Sequence, residues 1–330
     1  MVVSPVGIGR DSPLLGSSGK MPQWLKTTVD YGVYGIVRFL VGTIQVFPET
    51  KVIPFCRWVA WLLTHVIRIR GGTLEENLQR IFPGATAEQR QALTYQMWYH
   101  LILMVCEIAW APRRLHRCNW KNHIDFLDVQ EFLRQLLSRR ATVLVTGHVG
   151  NFEIGGYVTG LMGINTVTIA RPLDNPFLHR YVCQFREAKG QRLLDKHGCA
   201  AEVDRHLATG GTLSLLADQH AGSKGCWTPF LGSLASCHKG LALFTLTADA
   251  PMAVGYTLRA TQPMSFILGC EGIADPREND PRCQGVRQLT QWYNARLGDI
   301  IARAPDQYWW VHRRWREPPS KLPKSQSAAA

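Results

Sequence analysis

A chain of 330 residues with 46% apolar composition is long enough to bury a substantial core, which excludes a disordered or fibrous protein. Its 37 Lys and Arg against 25 Asp and Glu give a formal charge of +12, so its partners carry negative charge: an anionic membrane or a nucleic acid. Nine scattered cysteines, an odd number with no CxxC pair, argue against a disulfide framework or a thiolate zinc site and read as reduced thiols.

Residues 1–25 are expected to be disordered, and they lack the apolar core of a signal peptide, which predicts a location on the cytoplasmic side. Residues 26–71 are expected to form a membrane-associating helical hairpin. Tyr31 to Phe47 and Val52 to Ile67 are apolar runs interrupted by Arg38 and by Arg57 and His65, too short and too charged to span a bilayer. Pro48 and Pro54 are expected to break them apart. Eight Lys or Arg against three acids in residues 1–71 suit helices lying in the interface of an anionic leaflet; the alternative is ordinary packing against the domain. A short helix follows to Gly84. Thr86 and Gln89 form a capping box that opens a helix to about Trp110, apolar around nearly its whole circumference, so its lone carboxylate Glu107 needs a partner. From residue 120, helices 128–138, 151–161, 176–189, 200–208, 240–248 and 285–303 alternate with strands 142–146, 166–170, 212–216, 251–257 and 264–270, around a turn-rich stretch 218–240. That alternation predicts an α/β fold with a mostly parallel sheet flanked by helices, and ligands at the carboxyl ends of the strands. The tail 318–330 is expected to be disordered.

Three strand ends carry candidate chemistry: Gly147-His148 leading to Glu153, Arg171-Pro172, and Asp218-Gln219-His220. Five residues apart on a continuous helix, His148 and Glu153 would be separated by about 140°. With His148 in the turn before the helix and Asn151 as its cap, Glu153 sits in the first turn, from where it is expected to reach the imidazole as base and orienting acid. The competing reading is a structural His at a helix start. No GxSxG elbow or suitably placed Ser or Cys accompanies the pair, which favours direct attack by a substrate hydroxyl. A metal site at His148, Glu153, Asp218 and His220 matches no ligand spacing, and GHVGNFEIG is not a dinucleotide loop, so neither metal nor cofactor is expected. Arg171 suits a phosphate or an oxyanion, unless it is a surface residue paired with Asp174. Lys224, His238, Lys239, Arg313, Arg314 and Arg316 supply further cations to line a site. The aromatic and basic run YWWVHRRW, 308–315, is the main argument for a nucleic-acid binder, but no binding module frames it.

The blocks HVGNFE (148–153), ARPLDNP (170–176), ADQHAGSKGCWTPFLG (217–232) and PDQYWWVHRRWR (305–316), with ENLQRIFPG (76–84) upstream, resemble the bacterial lipid A biosynthesis lauroyl/myristoyl acyltransferase family, within the lysophospholipid acyltransferase-like superfamily. The resemblance implies a glycerolipid-acyltransferase-like domain over 72–317. It also implies a peripheral or monotopic place on the cytoplasmic face of the inner membrane. The donor would be an acyl carrier protein or coenzyme A thioester, and the acceptor a hydroxyl of a glycolipid such as a lipid A precursor. By position, His148 is then the base, Glu153 its orienting acid, Arg171 a charge-holding residue and Asp218 the first acid of a DQD or DHD block. Asn151, Asn175, Lys224, Lys239, Arg313 and Arg314 complete the expected substrate-contacting set. His220 departs from that block, where an acid is usual. The Arg-interrupted N-terminus departs too, which leaves open another acceptor such as a phosphatidylinositol mannoside-like lipid. Two other readings stand beside transfer: a lipid (thio)esterase activating water with the same pair, and a basic membrane-surface or nucleic-acid-binding protein.

Overall fold

The computed structural model describes residues 22–195 and 198–318. The disorder expected for 1–25 and 318–330 falls almost wholly outside these residues, except that Gln23 to Leu25 begin helix α1 (Gln23–Val46). Pro48 caps α2 (Glu49–Leu62), whereas Pro54 lies inside that helix and does not break it. A π turn, Leu63–Ile67, leads to α3 (Gly71–Ile81). The capping box of Thr86 and Gln89 forms as expected and starts α4 (Ala87–Arg114).

Helix α1 buries none of its residues, and α2 turns only Val52, Cys56 and Ala60 inward. Both dock on α4 at their junction: Gln45 Nε2 donates to the Ala109 carbonyl, Trp110 Nε1 to the Ile44 carbonyl, and Arg114 pairs with Glu49. Outward they present Trp24, Ile36, Phe39, Phe55, Trp58 and Trp61. No single helix among the described residues is long and apolar enough to cross a membrane. The segments 49–67 and 71–81, bent at 97°, pass that test only as a pair, by length and composition.

The main sheet contains β1 (Ile124–Leu127), β2 (Thr142–Thr146), β3 (Thr166–Ala170), β4 (Gln191–Asp195), β5 (Thr212–Leu216), β8 (Met252–Arg259) and β9 (Phe266–Ala274), in the order β1-β9-β8-β2-β5-β3-β4. Every neighbouring pair is parallel except β8 with β9. Central β2 reads TVLVT, a β-branched run buried on both faces. Its alternate residues serve two cores. Val143 and Val145 pack with Met252, Val254 and residues of α10 (Val286–Arg303); Leu144 packs with Phe132 of α5 (Gln130–Leu137) and with Ile154 and Val158 of α6 (Phe152–Leu161). Helices α7 (Pro176–Glu187), α8 (Ala200–Ala208) and α9 (Gly240–Thr247) complete the layers.

Three strand features differ from expectation. The edge strands β1 and β4 are short, and neither alternates apolar and polar residues: β1 exposes Phe126 and Leu127 beside Asp125, and β4 places Leu193 and Leu194 in succession, so the pattern of a strand is hidden. The turn-rich stretch 218–240 contains the hairpin β6 (Cys226–Phe230) and β7 (Ser233–Cys237). Its two turn residues, Leu231 and Gly232, both have positive φ, 49° and 77°, as a type I′ turn requires.

Candidate active site

Strands β2 and β5 lie side by side in parallel, with Thr146 opposite Leu216. Two residues further along each strand stand His148 and Asp218. This equal offset brings the imidazole Nδ1 to 2.7 Å from Asp218 Oδ1, while the His148 backbone N–H donates to Oδ2 at 2.9 Å. Asp218 is buried. Burial pushes its carboxyl up, but the His148 ring charge and the hydrogen bonds from ring and amide pull harder, with His312 assisting, and hold it at about 2. The carboxylate is therefore ionised and accepts the Nδ1–H, which leaves Nε2 as the unprotonated, basic nitrogen. Phe152 and Trp309 flank the ring edge-on, with centroids 5.1 and 5.0 Å away. Nε2 faces the Gln219 amide at 3.3 Å.

The expected contact of His148 with Glu153 does not form. Glu153 lies in the first turn of α6, as anticipated, but its carboxylate is gripped in two-pronged fashion by Arg186 of α7, with Nε donating to Oε2 at 3.0 Å. An arginine fork satisfies both carboxylate oxygens, whereas the turn at 148–150 aims the imidazole at β5. The turn itself is pinned on several sides. The His148 carbonyl accepts from the Trp309 N–H at 3.0 Å, and the Gly150 N–H donates to the Gln307 carbonyl at 3.0 Å. Gly150 has φ +64°, and a Cβ there would meet the Thr257 carbonyl oxygen at 2.1 Å, so only glycine fits.

Beneath the turn lies a buried charge cluster. Glu107 is fully buried on α4 and finds its partner in Arg259, whose Nε and Nη2 donate to the two carboxylate oxygens at 2.7 Å each. Asn151 Nδ2 donates to the same carboxylate at 2.9 Å while its Oδ1 caps α6 by accepting from the Ile154 N–H. His100, kept neutral by burial and by the Arg259 charge, holds the Gly150 carbonyl through Nε2 at 3.1 Å. Asn151, expected to touch substrate, is thus a buried brace.

The other expected residues divide similarly. Asn175 caps α7, accepting from the Phe177 and Leu178 N–H groups, and its amide donates to the Asp30 carbonyl of α1 at 2.8 Å. Arg314, also expected at the substrate, is fully buried and bonds the Ser236 carbonyl, Cys237 Sγ and Asn294 Oδ1, tying the β6–β7 hairpin to α10. Lys224 and Lys239 are exposed and line neither of the spaces beside His148. Arg171 reaches the rim of the cavity but is exposed and paired with Asp174 at 3.1 Å, the surface pairing weighed from the sequence. Arg313 lines a groove described below.

His148 opens on a cavity of about 300 Å³ running between α6 and the sheet. Glu153, Arg186, Arg171 and Gln219 charge or polarise its walls, and Leu144, Phe132 and Leu268 supply apolar lining. Gly155 and Gly156 of α6 line this space too, and glycine at 155 lets the helix approach β8 closely, since a Cβ there would strike Thr257 Oγ1 at 2.5 Å. Among the described residues no group of three or more His, Cys, Asp or Glu is placed to hold a metal ion, and all nine cysteines are free. The ring nitrogens of His148 bond Asp218 and Gln219, and no Ser or Cys among the described residues hydrogen-bonds them.

Sequence reasoning missed Asp218 as the partner of His148, together with Arg186, His312, Trp309 and the Glu107–Arg259 brace. The usable signal was the matching offset, since His148 and Asp218 each follow a five-residue strand by two positions.

Comparison with known proteins adds chemistry to this geometry. The model of the bacterial lipid A biosynthesis acyltransferase family matches residues 22–317. The chain is 24% identical over 260 residues to the lipid A biosynthesis palmitoleoyltransferase of Escherichia coli (strain K12), covering 77% of this chain and 81% of the relative. It is 22% identical over 268 residues to the lipid A biosynthesis lauroyltransferase of the same organism, covering 79% and 84%. Among solved structures, the 1-acyl-sn-glycerophosphate acyltransferase PlsC from Thermotoga maritima is similar at a TM-score of 0.39 and 10% identity. That alignment covers 82% of this chain and 100% of the other, a likeness too slight to carry an argument.

Proposed function

The chain belongs to the bacterial lipid A biosynthesis acyltransferase family and is an acyltransferase, and we propose that it moves a fatty acyl group from a carrier thioester to a hydroxyl of a lipid A precursor, with His148 as general base. The observation that carries this reading is the His148–Asp218 pair, which leaves Nε2 unprotonated on an imidazole that lines the cavity. The acceptor hydroxyl gives its proton to Nε2 as its oxygen attacks the thioester carbonyl carbon. The tetrahedral intermediate then expels the thiolate, which takes that proton from the imidazolium. Asp218 holds the ring in the productive tautomer and stabilises the charge it gains, a role in which it replaces Glu153. Arg171 stands at the cavity rim, where it meets the donor's or acceptor's negative charge once its exposed pairing with Asp174 is exchanged. No metal or cofactor takes part.

The proposed donor is a thioester of acyl carrier protein or of coenzyme A, the two to be compared. The exposed aromatic and aliphatic residues of α1 and α2, beside Lys26, Arg38, Lys51 and Arg57, support attachment in the interface of an anionic leaflet, and the cytoplasmic face is the side proposed. Incubating the purified protein with a lipid A precursor and either acyl thioester, then weighing the lipid by mass spectrometry, tests the function. A mass gain of one acyl chain that His148→Ala abolishes supports it. Thioester consumption at the same rate without acceptor identifies a thioesterase instead.

A further inference from the structure

Beside the cavity, and sharing Gln219 with it, lies an open groove of about 1500 Å³. One wall is a stripe of α4, Trp98, Leu101, Ile102 and Val105, at the helical spacing i, i+3, i+4, i+7. Ile69 lines it too, and both Ile69 and Val105 remain exposed, as do the neighbouring Val66 and Ile67, so the groove's apolar wall continues onto the exposed apolar surface. The groove is also lined by Arg70, Arg313 and Arg316, against a single acid among the described residues, Glu76. None of these three arginines forms an ion pair among the described residues, although Arg70 does donate one hydrogen bond to the Val311 carbonyl.

The groove also collects polar atoms without protein partners. Trp98 Nε1, His220 Nδ1 and His312 Nε2 are all buried and unbonded, and all three side chains line this groove. A buried polar atom left unpaired costs about 1–3 kcal/mol, so three of them on side chains that line one groove favour a hydrogen-bonding ligand there. Three guanidinium groups without a carboxylate partner among the described residues give that ligand its sign.

We propose that this groove binds the phosphate-bearing headgroup of the acceptor lipid, with Arg70, Arg313 and Arg316 taking the phosphate oxygens and the lipid's acyl chains lying along Leu101, Ile102 and Val105. The inference rests on the acyl-transfer reading of His148, because Gln219 lines both spaces and hydrogen-bonds Nε2, so a hydroxyl on the headgroup reaches the base by taking the place of its amide. It also gives His220 a place. Where related sequences are expected to carry an acid, a neutral imidazole here avoids repelling the phosphate. Burial, followed by Arg316 and Arg314, lowers its pKa and so keeps it uncharged.

Binding is measured without acyl donor, so that no turnover is needed. The full-length protein is titrated with a lipid A precursor in nonionic detergent micelles, and with the same lipid stripped of phosphate by a phosphatase. The wild type should bind the phosphate-bearing lipid about tenfold more tightly, the difference expected from a charge-assisted contact. Arg313→Gln with Arg316→Gln should erase that preference. Both arginines are exposed, so the variant keeps its fold, which an unchanged Tm would verify. Lys224→Gln, the loss of an equally exposed charge away from the groove, should leave the preference intact. Equal affinity for the two lipids in the wild type, or an equal loss from Lys224→Gln, overturns the proposal. Competition by inorganic phosphate as tight as by the lipid would show a free-phosphate site and overturn the lipid assignment. If binding behaves as stated but no acyl chain is transferred from either donor, the acyltransfer reading fails and the groove stands.

Discussion

His148 and Asp218 meet because Thr146 and Leu216 are opposite one another in two parallel strands, and each site residue follows its strand by two positions. The pair is thus a product of sheet register. A shift of one residue between β2 and β5 would turn one of the two side chains to the other face of the sheet. Glu153, although closer in sequence, is carried on α6 toward α7 and answers Arg186.

Glu153→Ala should therefore act first through stability. It leaves Arg186, a mostly buried guanidinium, without its carboxylate, which costs about 3 kcal/mol. Thermal unfolding should show the loss, and the double variant Glu153→Gln, Arg186→Gln should recover a large part of it. A single variant as stable as the wild type would mean that the pair does not hold α6 to α7.

Arg259→Lys should not substitute for arginine. Lysine cannot make the fork that Nε and Nη2 make to Glu107, so the buried carboxylate would be left half-satisfied and the 148–151 turn would lose its brace. A fall in stability of roughly 3 kcal/mol is expected for Arg259→Gln, with Arg259→Lys recovering less than half. Full recovery by lysine would show that charge alone suffices.

His312 imposes a pH dependence. Burial chiefly, with the His148, Arg314 and Arg70 charges and against the pull of Asp218, lowers its pKa from 6.5 to about 4. In the folded protein it stays neutral where the unfolded chain has taken up a proton. Its contribution is thus complete above pH 6.5 and is lost as pH falls from there to about 4, by up to ~3 kcal/mol. Stability measured across that window should be flatter in His312→Gln. An identical slope would remove His312 as the cause.

The membrane face can be tested without disturbing the core. Ile36 and Phe39 are 62% and 74% exposed on α1, so Ile36→Asp with Phe39→Asp should leave Tm unchanged. If α1 lies in the interface, the variant should lose at least about tenfold in affinity for anionic vesicles, since each apolar side chain contributes about 1.5–3 kcal/mol when buried. Unchanged co-sedimentation would place the contact elsewhere.

Much of this architecture is legible in the sequence because it is written in local patterns. The Thr86 capping box, the β-branched run TVLVT and the strand–helix alternation each act within a few residues. The four ordered blocks point to the family, and the family model bears that out over residues 22–317. Non-local facts were not legible. The neighbour of β2 is β5, three strands later in the chain, so the partner of His148 could not be read from spacing, and the nearest acid, Glu153, took its place. Arg314 lies one residue from the exposed Arg313, yet it is buried beneath the β6–β7 hairpin, and that hairpin was itself hidden among turn residues. Asn151 and Asn175 sit in motif blocks, but their amides brace the backbone and the neighbouring helices.

Base catalysis by His148 requires Asp218 to fix its tautomer. Asp218→Asn preserves shape but presents an amide where the carboxylate accepts Nδ1–H, so acyl-transfer turnover should fall by roughly 10³-fold with little change in KM. The accompanying Tm and lipid binding show that the fold persists. Turnover above a tenth of wild type in a folded Asp218→Asn protein would contradict the assignment.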